Sequence, residues 1–236
     1  MTVEWREYAE QMAVLARKLL EQDSVQATLD EIAAAAVELV EGCEAAGILA
    51  VRKGQAVTLA ACGNMVSESD RRQGELGEGP CFDLARRKDG ARVFRIPDMT
   101  RPQPTWERFA AAARELGVGS MTGVLLYTDN DDFGALNLYA SRPGAFGKDI
   151  ETAGWLLASH AAVALADART IDQLQHGMET RHAIGQAMGI LMERHGLSED
   201  DAFDVMRRIS QHHNVKLRDV AQRVRSERTD RPDHRA

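Results

Sequence analysis

The chain has 236 residues, room for two modest domains. Hydrophobic residues make up 44% and charged residues 28%, which excludes a disordered polymer, and no apolar run approaches the ~20 residues of a membrane helix. A net charge of −7 excludes a uniformly basic nucleic-acid binder, so any such contact must rest on a local patch.

The start, Met1-Thr2-Val3-Glu4-Trp5, has neither a basic n-region nor an apolar h-region, so no secretion signal is expected and the cytoplasm is the default compartment. Tyr8, Met12, Leu15 and Leu19 have helical spacing and predict a helix over Trp5–Glu21. A second helix is expected over Val25–Glu41, capped by Asp23 or Ser24. The period then changes. Two apolar runs, Ala46–Val51 and Ala56–Cys62, flank Lys53-Gly54-Gln55 and read as a hairpin. Val66–Gln73 reads as a short polar helix or a loop, and Phe82–Arg87 as a short helix after a glycine-proline break. Strands are expected at Arg92–Ile96, Ser120–Tyr127 and Phe133–Ala140, with a helix over Trp106–Leu116 whose Phe109, Ala113 and Leu116 point inward. Asp129-Asn130-Asp131-Asp132 is the turn joining the last two strands, and a long helix begins near Lys148. Hairpins interleaved with helices predict an α+β fold, an antiparallel sheet flanked by helices.

Along that long helix Leu157, Ala164, Ile171 and Met178 repeat every seven residues, with Ala161, Ala168 and Leu174 between them. Two readings fit: a short coiled-coil seam that dimerises the protein, or one amphipathic helix packed on its own sheet. The seam is preferred. Further on, Ile184, Ala187, Met188 and Leu191 lie on one helix face. Gly196 closes that helix, and Ser198 with Asp201 forms a capping-box-like start to the next. Ala202, Val205, Met206 and Ile209 give the second helix its buried stripe. After a break at Asn214, Leu217, Val220, Ala221 and Val224 give a third, shorter one. The result is a three-helix module. Charge divides along the same line: up to residue 168 there are 17 Lys and Arg against 25 Asp and Glu, and from Arg169 onward 12 against 11, with six of the seven histidines.

The module carries Ile184-Gly185-Gln186-Ala187-Met188-Gly189-Ile190-Leu191-Met192, then Ser198 and Ala202-Phe203, then Lys216-Leu217-Arg218-Asp219-Val220-Ala221. These residues closely resemble the ANTAR domain, a family that binds RNA and regulates transcription antitermination. The family usually has lysine where this chain has Met188, so a phosphate contact from that position is in doubt. Upstream, Gly77-Glu78-Gly79-Pro80-Cys81, Pro97-Asp98, Trp106 with Phe109, Gly117-Val118 with Ser120, and Gly134–Tyr139 before Phe146 resemble the GAF domain found beside ANTAR modules in actinobacterial regulators. Together they imply a GAF-like sensor over 24–166 and an ANTAR-like RNA-binding domain over 167–230, which leaves an expected N-terminal helix over 1–23 and an expected disordered tail over 231–236. They imply hairpin-loop RNA as partner, bound by a homodimer. They also imply a sensory pocket whose ligand is not readable from the sequence, with walls around Cys81, Trp106 and Met121.

On the third helix Arg218, Gln222 and Arg225 recur at i, i+4 and i+7 on the face away from the apolar stripe. Arginines grip phosphates or stack on bases, and an amide reads base edges. Lys216 at that helix's start and Arg181 and Gln186 on the first complete the expected RNA face, while Asp219 and Arg223 are expected to pair. A DNA-binding regulator is the runner-up, since three short helices also suit helix-turn-helix recognition.

No catalytic set is visible. Cys43, Cys62 and Cys81 are odd in number and widely spaced, which suits neither a zinc site nor a disulfide framework. The three cysteines, with Cys81 near a helix start, keep one enzyme reading open, a GAF-fold cysteine-dependent methionine sulfoxide reductase. Asp98, Asp129, Asp131 and Asp132 are expected to serve turns rather than a metal. His212 and His213, adjacent and on opposing sides of a helix turn, make a poor chelate. Gly185 and Gly189 read as a site of close helix packing rather than a phosphate loop.

Overall fold

The structure, a computed structural model, describes residues 4–86, 92–128, 132–147 and 149–229. Two compact units make up the chain, Met1–Thr170 and Ile171–Ala236.

In the first unit the elements run α1 (Trp5–Leu20), α2 (Val25–Leu39), β1 (Ala45–Arg52), β2 (Gln55–Cys62), α3 (Val66–Leu76), α4 (Pro80–Arg86), β3 (Val93–Ile96), α5 (Glu107–Glu115), β4 (Ser120–Tyr127) and β5 (Asp132–Ala140). The helix α6 (Ile150–His195) begins here and continues into the second unit. The five strands form one antiparallel sheet in the order β2-β1-β5-β4-β3. The β1–β2 hairpin closes through Lys53 (φ 52°) and Gly54 (φ 81°), the two positive-φ residues that suit the twist of a two-residue turn. Ser24 caps α2, its hydroxyl accepting from the Ala27 N–H at 3.1 Å.

Period-2 alternation sends side chains to both faces of the sheet. Ala46, Ile48, Leu136, Leu138 and Ala140 pack with Tyr8, Met12, Leu15 and Leu19 of α1, Ile32 and Ala36 of α2, and Leu157, Ala161 and Leu165 of α6. Ala45, Leu49, Met121, Ala135 and Tyr139 face Val66, Cys81, Leu84, Phe109 and Ala113. The result is the expected α+β architecture with a helical layer on each face. The Tyr8 hydroxyl donates to the Ala153 carbonyl at 2.7 Å, tying α1 to α6.

The Gly-Glu-Gly-Pro-Cys stretch is structural throughout. Glu78 accepts from the N–H groups of Arg108 and Phe109 at 2.9 and 3.2 Å, capping the N-terminus of α5. Gly79 takes φ 143°, and a Cβ there would meet the Gln73 side chain at 2.5 Å.

The second unit contains the end of α6, α7 (Glu199–His213) and α8 (Leu217–Thr229) around Ala183, Ala187, Leu191, Ala202, Met206, Val220 and Ala221. Ser198 caps α7, accepting from Asp201 N at 3.2 Å while donating to Asp201 Oδ2 at 2.7 Å. Asn214 takes φ 49° and breaks the chain as expected.

Several expectations change. Of the two readings of Val66–Gln73 the helix holds, over Val66–Leu76, but its polar Ser69, Asp70 and Gln73 point into the core. Leu116 is only half-buried. Ile209 is exposed, because the inward line of α7 runs Ala202–Met206–Ser210, and Ser210 donates to the Val215 carbonyl at 2.6 Å. Leu157 and Ala164 are buried in the first unit's own core, so they are not part of an exposed dimer seam. Over those turns the packed-helix reading holds. Ile171, Leu174 and Met178 are exposed, at 47, 63 and 69%. Gly185 and Gly189 are not at a close packing site, since a Cβ on either would meet nothing within 4 Å. Arg87, residues 129–131, Lys148 and the 231–236 tail lie outside the described residues.

Replacing Ser198 with Ala removes both cap bonds and is expected to destabilise the second unit by about 1 kcal/mol. Chemical denaturation of the full chain checks it. The far-UV circular dichroism midpoint should fall, while the fluorescence of Trp5, Trp106 and Trp155, all in the first unit, should keep its own.

Candidate functional site

In the second unit the buried stripe of α8, Val220 and Ala221 with half-buried Leu217 and Val224, leaves Arg218, Gln222 and Arg225 exposed on the other side. Arg218, Gln222 and Arg225 line one groove of about 380 Å³ with Glu179, Thr180, His182 and Ala183 of α6. Arg225 also lines a second hollow of about 360 Å³, with Gln186, Gly189, Ile190 and Glu193. The side chains of His182 and Gln186 touch, Nε2 to Nε2 at 2.8 Å, so with the amide donating, the imidazole accepts through Nε2. Four of the six residues expected on an RNA face thus gather along α6 and α8. Arg181 and Lys216 are exposed but line neither hollow.

His182, Glu179 and Glu193 were not among the sequence candidates, because only the approach of α8 to α6 gives them a role. Asp219 pairs with its neighbour Arg218, Nε to Oδ1 at 3.4 Å, and not with Arg223. The rings of His212 and His213 meet edge to face at 4.9 Å rather than on opposing sides. Among the described residues no group of three or more His, Cys, Asp or Glu is placed to hold a metal.

The first unit holds a buried polar cluster between the sheet and α3. Asp70 accepts from the Thr58 hydroxyl at 2.9 Å and from the Tyr139 hydroxyl at 3.2 Å. Burial pushes its carboxyl up to about 7, against the opposing pull of these two hydrogen bonds. Next to it Cys81 donates its thiol to Asn137 Oδ1 at 2.7 Å and its backbone N–H to Gln73 Oε1 at 3.1 Å. Of the three expected pocket residues, Cys81 and Met121 are core side chains. Trp106 is half-exposed, its indole N–H donating to Asp83 Oδ2 at 2.8 Å and its ring edge-on to Phe94. An open cavity of this unit, about 480 Å³, has a different lining that includes Tyr8, Glu41, Arg142 and Ile150.

Residues 22–166 match the GAF domain family and residues 172–224 match the ANTAR domain. The chain belongs to the GAF domain family. It carries an ANTAR domain after the GAF domain, and an ANTAR domain implies RNA-binding regulation by antitermination. Among solved structures, the chromophore-binding domain of a bacteriophytochrome from R. palustris is similar at 10% identity and a TM-score of 0.50, over 70% of this chain and 63% of that one. The chain therefore spans less than two thirds of that relative. The GAF domain of a phosphoenolpyruvate-protein phosphotransferase from Acinetobacter is similar at 13% identity and a TM-score of 0.53, over 73% of this chain and 99% of that one. Its counterpart from Coxiella burnetii is similar at 16% identity and 0.55, over 72% and 99%. These identities establish the fold alone. No curated protein matches.

Within the GAF domain, the site of Cys81 does not suit a nucleophile. The residue is 1% exposed, and burial, then the Asp70 charge, push its thiol well above the usual range. A reactive thiol needs an accessible, electropositive setting, so Cys81 lends the reductase reading no support. Within the ANTAR domain, Met188 packs half-buried against the core and contributes apolar contact where the family usually has a cation.

Asp70 gives a pH signature. Its folded-state carboxyl, at about 7 against the ordinary 3.8, holds its proton more tightly than in the unfolded chain. Its contribution to stability therefore declines as pH rises from about 4 to 7 and stays low above that. Asp70→Asn removes the decline. By tryptophan fluorescence, the advantage of the variant over wild type should grow across that window, toward an upper limit of roughly 4 kcal/mol. A difference that stays constant with pH would contradict it.

Proposed function

We propose that the protein is a signal-responsive regulator of the type found in actinobacteria, acting in the cytoplasm. It binds hairpin-loop RNA as a homodimer and promotes transcription antitermination. The GAF domain, over 24–166 after the helix of 1–23, is its sensor, and the RNA-binding domain runs over 167–230. The observation that carries the reading is the α6–α8 groove, where Arg218 and Arg225 flank Gln222 opposite His182. Two guanidiniums grip phosphates, and an amide with an imidazole reads the edges and faces of unpaired bases, the chemistry that loop RNA offers. The chain's overall charge of −7 repels a polyanion, which concentrates binding on this patch.

The sensor role rests on the GAF fold and on the buried polar cluster around Asp70. A regulatory small molecule is its expected input. Three free cysteines suit a reducing compartment. Dimerisation falls to the exposed stretch of α6, where Ile171, Leu174 and Met178 follow one another at three- and four-residue spacing.

Arg218→Ala and Arg225→Ala should weaken hairpin binding and flatten its salt dependence, since each releases fewer counterions. Gln222→Ala should instead reduce discrimination between loop sequences. All three side chains are exposed, so stability should stay within about 0.5 kcal/mol of wild type. Binding of matched and loop-altered hairpins at several salt concentrations, with circular dichroism as control, is the check; wild-type binding in all three would remove the site from α8.

Ile171→Asp puts a charge into the dimer contact and should yield monomers by light scattering. A mass unchanged from wild type would count against the dimer.

A further inference from the structure

Gly189 stands in the interior of α6 at an exposed position, where glycine weakens a helix relative to alanine. Nothing in the packing calls for it, because a Cβ would meet no atom within 4 Å. It does line the second hollow, of about 360 Å³, with Gln186, Ile190, Glu193 and Arg225. With no side chain at Gly189, this part of the hollow is bare backbone beside the largely buried aliphatic Ile190. Glu193 supplies a carboxylate acceptor, Gln186 an amide and Arg225 a cation. Arg225 lines this hollow and the Arg218–Gln222 groove alike, so one cation stands between two adjoining recesses.

We propose that the Gly189 hollow is a subsite for one unstacked nucleobase of the bound RNA, selective for bases that carry an exocyclic amine. This rests on the RNA-binding reading and adds to it a second base-reading position on α6. The base lies flat on Gly189 and Ile190. Its amine donates to the Glu193 carboxylate, and Arg225 holds the phosphate linking it to the nucleotide in the neighbouring groove. Adenine, cytosine and guanine carry such an amine and uracil does not. The size suits the assignment, since small-molecule sites occupy about 300–1,000 Å³ and this one lies at the lower end. The carboxylate is the informative group. A surface meant only to hold phosphates gains nothing from Glu193, whereas a base edge with N–H donors needs an acceptor.

The test uses the full chain and a pool of RNA hairpins with randomised loops. Gly189→Leu fills the hollow with a good helix former and touches no core residue. It should lower affinity for the pool by roughly tenfold, the loss of one seated base, while the thermal midpoint holds or rises. A purely structural glycine would show the opposite pair of changes. Glu193→Gln should relax selection at one loop position, so that uridine there is accepted.

Each outcome decides. Wild-type protein that binds no hairpin in the pool removes the RNA reading itself. Wild-type binding with full affinity in Gly189→Leu overturns the subsite alone. Lost affinity accompanied by a halved mass in light scattering assigns the face to a second copy of the chain and overturns it too. Should Gly189→Leu fail to fold, Glu193→Gln still decides, because an unchanged loop preference with uniformly tighter binding means that Glu193 is only a repelling charge.

Discussion

A five-stranded sheet with apolar residues on both faces must be covered twice, and most of this structure follows from that need. Each face left in water would forfeit roughly 25 cal/mol for every Å² of apolar surface. One face takes α1, α2 and the first turns of α6, and the other takes α3, α4 and α5. This commits Leu157, Ala161 and Leu165 to the GAF core, while beyond them the same helix carries Ile171, Leu174 and Met178 exposed, as it carries Trp155 and Val163 on its outer side earlier. The requirement to cover the sheet thus decides which part of α6 remains for another surface.

The second face is covered at a cost, because α3 brings Asp70 and Gln73 inward rather than an apolar stripe. The carboxyl finds two hydroxyl donors and, among the described residues, no ion-pair partner. Buried polar groups without full pairing oppose folding, and a fold retains them where they confer something else. Here they join α3 to the sheet through Thr58 and Tyr139 at Asp70, and to α4 through the Cys81 N–H at Gln73. The ANTAR domain shows the converse economy: a core of seven buried side chains, mostly small, leaves Arg218, Gln222, Arg223 and Arg225 of α8 exposed.

What was legible in the sequence was whatever depends on local period and local caps. Tyr8, Met12, Leu15 and Leu19, the Gly54 hairpin, the caps at Ser24 and Ser198 and the short strand run Ser120–Tyr127 each lie in a pattern a few residues long. What was not legible depends on which surface meets which. A stripe with period 3.5 and one with period 3.6 hardly diverge over three turns, so Leu157 and Ala164 fit a seam and a sheet-facing helix equally well. Ser69, Asp70 and Gln73 look like a solvent face until α3 is set against Tyr139. Ile209 continues a plausible stripe that Ser210 in fact takes over. Arg218, Gln222 and Arg225 were readable from i, i+4 and i+7, but His182 and Glu193 acquire meaning only from the helix opposite them. Gly189 was visible in the chain, yet its significance lay in the empty space beside it.

The central claim is that the α6–α8 face of the ANTAR domain recognises RNA loops. The most direct measurement is a competition between hairpin RNA and duplex DNA of matched length for the full-length protein, repeated across a range of salt concentrations. The account predicts that hairpin RNA displaces the DNA at every salt concentration, because bases unpaired in a loop can enter the groove and paired bases cannot. Equal competition by both, fading together as salt rises, would mean that the face senses only phosphate charge and would contradict the claim.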